Sequence, residues 1–415
     1  MSNDRNPAAP SNKRFAAFEF RDFGYYWSAR FCATLAVQIM SVAVAWHVYD
    51  LTRDPFDLGI IGLVQFLPSL LLVLVTGTVA DRYGRRRVMM LAVALECLCA
   101  GGILMVSLQG LSSPTPIFVA LTGVGIARAF FGPASQSLVV NLVPRAIFPN
   151  AVAWNSASWQ TASILGPVAG GLMYGIDAEL AYSVAVVMLA ISFGLLSQVP
   201  PPPKRAKVTK VTFSSLFDGL RFIRQEKIVL GAISLDLFAV LLGGAVALMP
   251  VYARDILQLG PSGLGILRAA PGVGAILMLI CLASFPIRDY AGRILLVFVG
   301  LFGLFTTVFG LSTIAWISIV MLALMGAADM ISVVIRETLL QLWTSDDVRG
   351  RVNAVNMVFI GASNELGGFR AGFMGAWIGV VPAVVFGGVG AMLVAAGWAW
   401  LFPQLRDARF LDRRK

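Results

Sequence analysis

Gly77-Thr78-Val79-Ala80-Asp81-Arg82-Tyr83-Gly84-Arg85-Arg86-Arg87 lies between two apolar runs. Residues 58–76 carry no charge, and residues 88–107 carry one, Glu96. A membrane's hydrocarbon core takes about 20 mostly apolar residues of helix to cross. The stretch therefore reads as a tight turn between two membrane helices. Short loops rich in Lys and Arg stay in the cytoplasm, which fixes this turn on the cytoplasmic side. Gly84 permits the sharp reversal, and Gly77 lets one helix end lie close to a neighbour. Asp81, set among cations, needs a helix N-terminus or an arginine to hold it.

The same length criterion applied to all 415 residues gives twelve spans. They fall at about 23–49, 57–79, 88–108, 116–141, 148–174, 180–199, 228–252, 262–285, 292–311, 315–341, 352–378 and 382–402. Of the 32 Lys and Arg residues, 25 then lie in cytoplasmic segments, two (Arg53 and Arg254) on the outer side, and five within helices. That asymmetry supports the count and puts both termini in the cytoplasm. The expected organisation is a cytoplasmic tail (1–22), a six-helix bundle (23–199), a cytoplasmic linker (200–227), a second six-helix bundle (228–402) and a cytoplasmic tail (403–415). Four prolines, Pro200 to Pro203, end the first bundle. Beyond them, Phe213, Leu216, Phe217, Leu220 and Ile223 recur at helical spacing. They predict either an amphipathic helix on the inner leaflet or a juxtamembrane start of the seventh span.

Composition excludes a soluble enzyme. Hydrophobic residues make up 58% of the chain and charged residues 13%, about half the share in soluble domains. The net charge of +10 is explained by cytoplasmic loops facing anionic lipid, so no nucleic-acid partner is expected. Cys32, Cys97, Cys99 and Cys281 all lie in apolar runs without metal-binding spacing, and one histidine, His47, cannot build a metal cluster. His47 sits in Trp46-His47-Val48-Tyr49 and reads as part of an interfacial aromatic cluster, with a proton relay as the lesser alternative. No phosphate-binding glycine loop or nucleophile elbow is present. No catalytic residue, cofactor or metal is expected.

The two halves repeat. Residues 165–173, LGPVAGGLM, align with residues 366–374, LGGFRAGFM, 201 positions on, and the same offset pairs Asn155 with Asn356 and Arg128 with Asp329. Asp81-x-x-Gly84-Arg85 matches Asp289-x-x-Gly292-Arg293. The chain is thus a repeat of two six-helix halves.

The pattern carried by Gly77, Asp81, Arg82, Gly84, Arg85 and Arg86 resembles the loop 2–3 signature of the major facilitator superfamily. The resemblance implies an all-α membrane fold of two pseudo-symmetric six-helix bundles, and a latch at this loop that holds the halves together in the outward-open state. Asp289, Gly292 and Arg293 form its partial second copy. Gly166, Pro167, Gly170 and Gly171 resemble the antiporter motif of proton-coupled drug exporters, with Ala162 at the family's earlier glycine. The motif implies a kinked interface seal, with plain close helix packing as the alternative. Arg128 and Gly132 resemble part of the family's helix 4 motif, with Gln136 departing from it. That resemblance implies proton handling by Arg128, with a structural pair to Glu96 as the alternative.

Within the superfamily, Ser28-Ala29-Arg30-Phe31, Val48-Tyr49-Asp50-Leu51-Thr52 and Ala80-Asp81-Arg82 resemble the enterobactin-exporter-like group of bacterial drug–proton antiporters. This implies a proton-coupled exporter of a sizeable small molecule, such as a siderophore or drug, working by alternating access in the bacterial inner membrane. The expected partners are that solute, protons and membrane lipid, with the chain acting as a monomer. A lysophospholipid flippase of the same superfamily and a transport-inactive receptor or scaffold are the alternatives.

Ten ionisable residues lie at membrane depth: Arg30, Glu96, Arg128, Asp236, Arg268, Asp329, Arg336, Glu337, Glu365 and Arg370. Each costs about 2.5–3.5 kcal/mol if it faces lipid, so together they would exceed a protein's whole stability. They must face inward, pair, neutralise or line water. Arg336 and Glu337 lie near a helix end and either snorkel or pair. In the resembled superfamily spans 1, 4, 7 and 10 line the cavity. On that basis Arg30 is expected opposite Asp236, and Arg128 opposite Asp329. The proton-coupling candidates are therefore Asp236, Asp329, Glu96, Arg30 and Arg128, with permanent structural pairs as the competing reading.

Overall fold

The computed structural model describes residues 14–201, 213–285, 287 and 289–408. Among the described residues there are twelve long helices: α1 (Arg21–Thr52), α2 (Pro55–Tyr83), α3 (Arg85–Leu108), α4 (Thr115–Val139), α5 (Phe148–Ile176), α6 (Ala178–Gln198), α7 (Lys227–Ile256), α8 (Gly260–Ser284), α9 (Ala291–Leu311), α10 (Ala315–Trp343), α11 (Asp346–Ile378) and α12 (Val380–Leu401). Ten are long and apolar enough by length and composition to cross a membrane. The other two, α5 and α11, have 29 and 33 residues, ample for a crossing, but carry more polar side chains: Asn and Gln on α5, Asn and charged residues on α11.

Local chemistry sets the helix ends. Asp54 caps α2 by accepting a hydrogen bond from the Phe56 N–H at 2.9 Å, and Pro55 takes the first helical position, where its missing N–H is harmless. Asp177 caps α6 in the same way, accepting from the Glu179 N–H at 3.0 Å. Gly84 alone joins α2 to α3 at φ 91°, and Gly379 alone joins α11 to α12 at φ 93°. Both conformations are barred to ordinary side chains, so each reversal needs glycine.

Two elements depart from the sequence reading. The seventh span is broken: regular helix stops at Gly243, a 3₁₀ turn covers Ala245–Leu248, and a π turn covers Tyr252–Ile256. The Gly243-Gly244 pair and Pro250 account for the interruption. The linker does form a separate helix, Phe213–Gln225, but it docks on protein. Ile223 is fully buried with Leu340 of α10 and Val352 and Val355 of α11.

With twelve long helices among the described residues, the start of α1 and the end of α12 lie at one face, called terminal here; the turns at 53–54 and 257–259 lie at the other, called distal. One buried core uses only residues from the first half, Ala17 to Val199. Two others use only the second half, from Ile223 and Ala232 onward. A fourth core joins the halves, with Val42, Ala45, Trp46, Tyr49 and Leu58 packed against residues between Ala245 and Val384. All of it lies on the distal side.

Backbone contact between halves occurs in two symmetry-related places. A side chain on Gly171 of α5 would strike Pro261 and Gly265 of α8, and one on Gly372 of α11 would strike Pro55 and Gly59 of α2. Gly166 and Gly367, the equivalent pair one turn away, pack instead inside their own halves, against Gln38 of α1 and Val240 of α7. The 201-residue offset read from sequence is thus a physical pseudo-twofold. Gly171→Leu should force α5 from α8 and destabilise the protein by about 1–3 kcal/mol. Gly102→Leu, with nothing within 4 Å of its Cβ position, should be neutral. Equal thermal unfolding midpoints for the two variants would contradict backbone contact at Gly171.

Candidate functional site

A cavity of about 590 Å³ lies between the halves at mid-depth. It is lined by α1, α2, α4 and α5 from one half and α7, α8, α10 and α11 from the other, with Glu96 of α3, Leu189 of α6 and Phe302 of α9 behind them. Apolar side chains such as Val37, Leu58, Val240 and Met325 make most of the wall. Glu96, Arg128, Arg268, Glu365, Gln65, Gln160 and Asn364 supply hydrogen-bonding groups of both signs. Hydrogen bonds and ion pairs that cross from one half to the other level with this cavity or distal to it include the bond from Gln160 to the Gly272 carbonyl at 3.5 Å, those from Arg268 to Ser41, and a charged cluster at the distal ends of α1 and α7.

The charged lining has two poles. Arg128 of α4 donates to the Gln65 side chain of α2 at 3.1 Å and lies within electrostatic range of Glu96 and Glu365. Glu365 comes from the other half, and its carboxylate lies against Gly62 of α2, so a larger residue there would have to displace it. At the other pole Arg268 of α8 donates to the Ser41 carbonyl of α1 at 3.1 Å.

The cross-half pairing expected from repeat offsets is not what the structure shows. Asp236 of α7 is ion-paired with Arg336 of α10, and both are buried inside the second half. Asp329, two turns before Arg336 on α10, shares the electrostatic field of that pair. Arg30 remains in the first half and donates to the Asn155 carbonyl at 3.0 Å. Arg128 meets Gln65, Glu96 and Glu365, not Asp329. The cause is geometric: a twofold brings equivalent residues together only near its axis, and at mid-depth the cavity separates the halves. Arg336 does not snorkel, since it is almost fully buried, and Glu337 accepts a hydrogen bond from Asn356 at 3.1 Å.

The loop signature divides in a similar way. Arg85 donates to the Ser137 carbonyl at 2.8 Å, and Arg86 donates to the carbonyls of Leu196 and Ser197 at 3.0 and 2.6 Å. Both arginines thus satisfy carbonyls near the C-terminal ends of α4 and α6, where a helix carries partial negative charge. Arg82 is exposed and lies over the Tyr83 ring at 5.6 Å. The side-chain position of Asp81 and the surroundings of Gly77 lie outside the described residues. In the second copy Asp289 is exposed, Gly292 packs against the Leu405 backbone, and Arg293 lies 3.7 Å from Asp407.

Of the helix 5 motif, Pro167 and Gly171 face α8 across the interface, while Gly166 and Gly170 face α1. His47 is buried and shares a 3.0 Å hydrogen bond with Tyr182, beside Tyr174, in an aromatic group inside the first half. Sequence reasoning missed the task of Arg370. It donates to the Leu242 carbonyl at 2.5 Å, next to the break in α7. A helix interruption frees carbonyls that lipid cannot satisfy, and the guanidinium takes one of them. The Gly243-Gly244 pair was the available signal.

A family profile described as transmembrane secretion effector matches residues 12–413. The enterobactin exporter EntS of Escherichia coli strain K12 is 24% identical over 396 residues, covering 92% of each chain. The same exporter of Shigella boydii serotype 18 matches equally. Among solved structures, a bacterial homologue of the human lysosomal transporter Spinster superposes with a TM-score of 0.74 at 14% identity, covering 95% of this chain and 99% of that one. The D323A mutant of the nucleoside transporter NupG gives 0.70 at 11% identity, with 92% and 100% covered. The solved structures bear on the fold alone.

The buried cluster in the second half makes a direct test. Arg336→Met leaves Asp236 and Asp329 facing each other without a cation. It should destabilise the protein by about 3–5 kcal/mol, because removing one partner strands buried charge. Adding Asp236→Asn should recover much of that loss. A wild-type unfolding midpoint for Arg336→Met in detergent would show that the pair contributes nothing.

Proposed function

The chain belongs to the transmembrane secretion effector family of the major facilitator superfamily, and from that premise we propose that this transporter exports a sizeable small molecule across a bacterial inner membrane in exchange for protons. The observation that carries the reading is the cavity itself. Its volume of about 590 Å³ is in the range of pockets for drug-sized ligands, its walls are mostly apolar, and its few polar groups carry both signs. A partly aromatic solute with acidic and hydrogen-bonding groups suits that lining. The similarity to an enterobactin exporter favours a siderophore over other solutes of that size.

The excess of cations in the segments expected at the terminal face supports a cytoplasmic position for that face and both termini. The distal core then closes the outer side, and the cavity is loaded from within. That is the access an exporter needs in its resting state. We take residues 23–199 and 228–402 as the two bodies that rock, with 200–227 as their tether and a monomer in lipid as the working unit. Pro167 and Gly171 form part of the seal that must open, and Asp81 serves as the latch on the cytoplasmic side in the opposite state.

Proton coupling needs a carboxylate that is charged in one state and neutral in the other. In the second half Asp236 holds Arg336, and Asp329 lies in the electrostatic field of that pair, two acids to one cation, so one negative charge is left over at membrane depth. A proton is the smallest cation that neutralises it. Glu96 and Glu365 around Arg128 repeat the imbalance beside the cavity. Of these groups Asp329 is the first choice, since Asp236 already holds Arg336. In proteoliposomes with an imposed pH gradient, Asp329→Asn should abolish gradient-driven accumulation of a catecholate siderophore while preserving its binding. Wild-type accumulation by this variant would exclude Asp329 and leave Glu96 and Glu365.

A further inference from the structure

We infer that Tyr49, Asp50, Arg53, Arg254 and Asp255 form an ionic latch that holds the two halves together on the distal face and has to part before the cavity can open there. The inference rests on the alternating-access reading above and gives a task to Val48-Tyr49-Asp50-Leu51-Thr52, a sequence motif that the cavity does not use. Each half presents one acid and one base at the end of its first helix, in crossed order. Asp50 of α1 is ion-paired with Arg254 of α7, and Arg53 of α1 lies 3.5 Å from Asp255 of α7. Tyr49 donates its hydroxyl to Asp255, and the Arg254 guanidinium lies over the Trp46 ring at 5.4 Å. Asp50 also lies 3.9 Å from Arg53, so the four charges form one network.

The backbone prepares both ends for this contact. Arg53 adopts the left-handed conformation, φ 53°, with its N–H bonded to the Tyr49 carbonyl at 3.0 Å, which ends α1 and turns the side chain outward. On α7 the wide π turn Tyr252–Ile256 carries Arg254 and Asp255. The sequence count sharpens the point. Arg53 and Arg254 are the two cations expected in outer loops, and both are committed to this network. A face otherwise kept free of cations retains the pair that bridges the halves.

Strength is matched to release. The side chains of Asp50, Arg53 and Asp255 are 40–55% exposed and that of Arg254 22%, so water competes with every bond. Exposed pairs of this kind are individually weak, and only the network and the apolar core beneath it hold the face closed. A permanent brace would be buried, as Asp236 and Arg336 are.

The test is a distance measurement on the full-length protein in lipid nanodiscs. Spin labels go on Ser113 and Ile314, in distal turns of opposite halves, with the four natural cysteines replaced by serine. Asp50→Asn with Arg254→Gln should raise the ratio of long to short label distances about fivefold. On a Tyr49→Phe background, which removes the one hydrogen bond that charge exchange cannot preserve, exchanging all four charges (Asp50→Arg, Arg53→Asp, Arg254→Asp, Asp255→Arg) keeps every ion pair with its signs reversed and should restore the distribution of Tyr49→Phe alone. Unchanged distances in the neutralised variant, with unfolding midpoints like wild type, would overturn the latch. So would a fourfold exchange that behaves like the neutralised variant. Neither readout uses substrate or a gradient, so a failed latch leaves the export reading standing, and a protein that exports nothing still reports on the latch.

Discussion

The backbones of α5 and α8 meet at Gly171 and Gly265, and those of α2 and α11 meet at Gly59 and Gly372, with no side chain between them. These two contacts set the spacing of the halves on the distal side. The cavity lies between the halves, lined by helices of both. Small residues are the requirement here because lipid provides no hydrophobic drive between helices. Close packing must come from van der Waals contact at short range. The same contacts are reversible, since no bulky side chain has to be withdrawn when they part.

The second constraint is the cost of charge at membrane depth. The structure meets it in three ways. Asp236 and Arg336 pair inside one half and stay away from the cavity. Arg30, Arg268 and Arg370 donate to backbone carbonyls, and Arg370 takes the one freed beside a broken helix. Arg128, Glu96 and Glu365 line the cavity. The first arrangement stabilises a half, the second ties helices together, and the third is available to a solute or a proton.

Much of this was legible in the chain. Span positions, the turn at Gly84 and the repeat offset all came from local patterns, because apolar length, glycine conformation and internal similarity are properties of short stretches. Gly166 and Gly171 read alike in sequence yet pack on different neighbours, as only helix rotation decides which glycine faces the other half. Pairings failed for the same reason: equal offsets identify equivalent residues but not contacts. Asp236 found Arg336, a hundred residues away in its own half, and no periodicity announces that. The break in α7 was written in Gly243-Gly244, but an apolar run long enough to span conceals an interruption. The distal charges were visible only as a count, because pairing between α1 and α7 depends on how the halves sit.

Access to the cavity tests the whole account most directly. With the four natural cysteines replaced by serine, Ser163→Cys places a single thiol in the cavity wall. Its rate of reaction with a membrane-impermeant thiol reagent is then compared in inverted and right-side-out vesicles, without substrate. The account predicts fast reaction from the cytoplasmic side and protection from the outer side. Equal or faster reaction from the outer side would contradict the closed distal core and, with it, the orientation of the molecule.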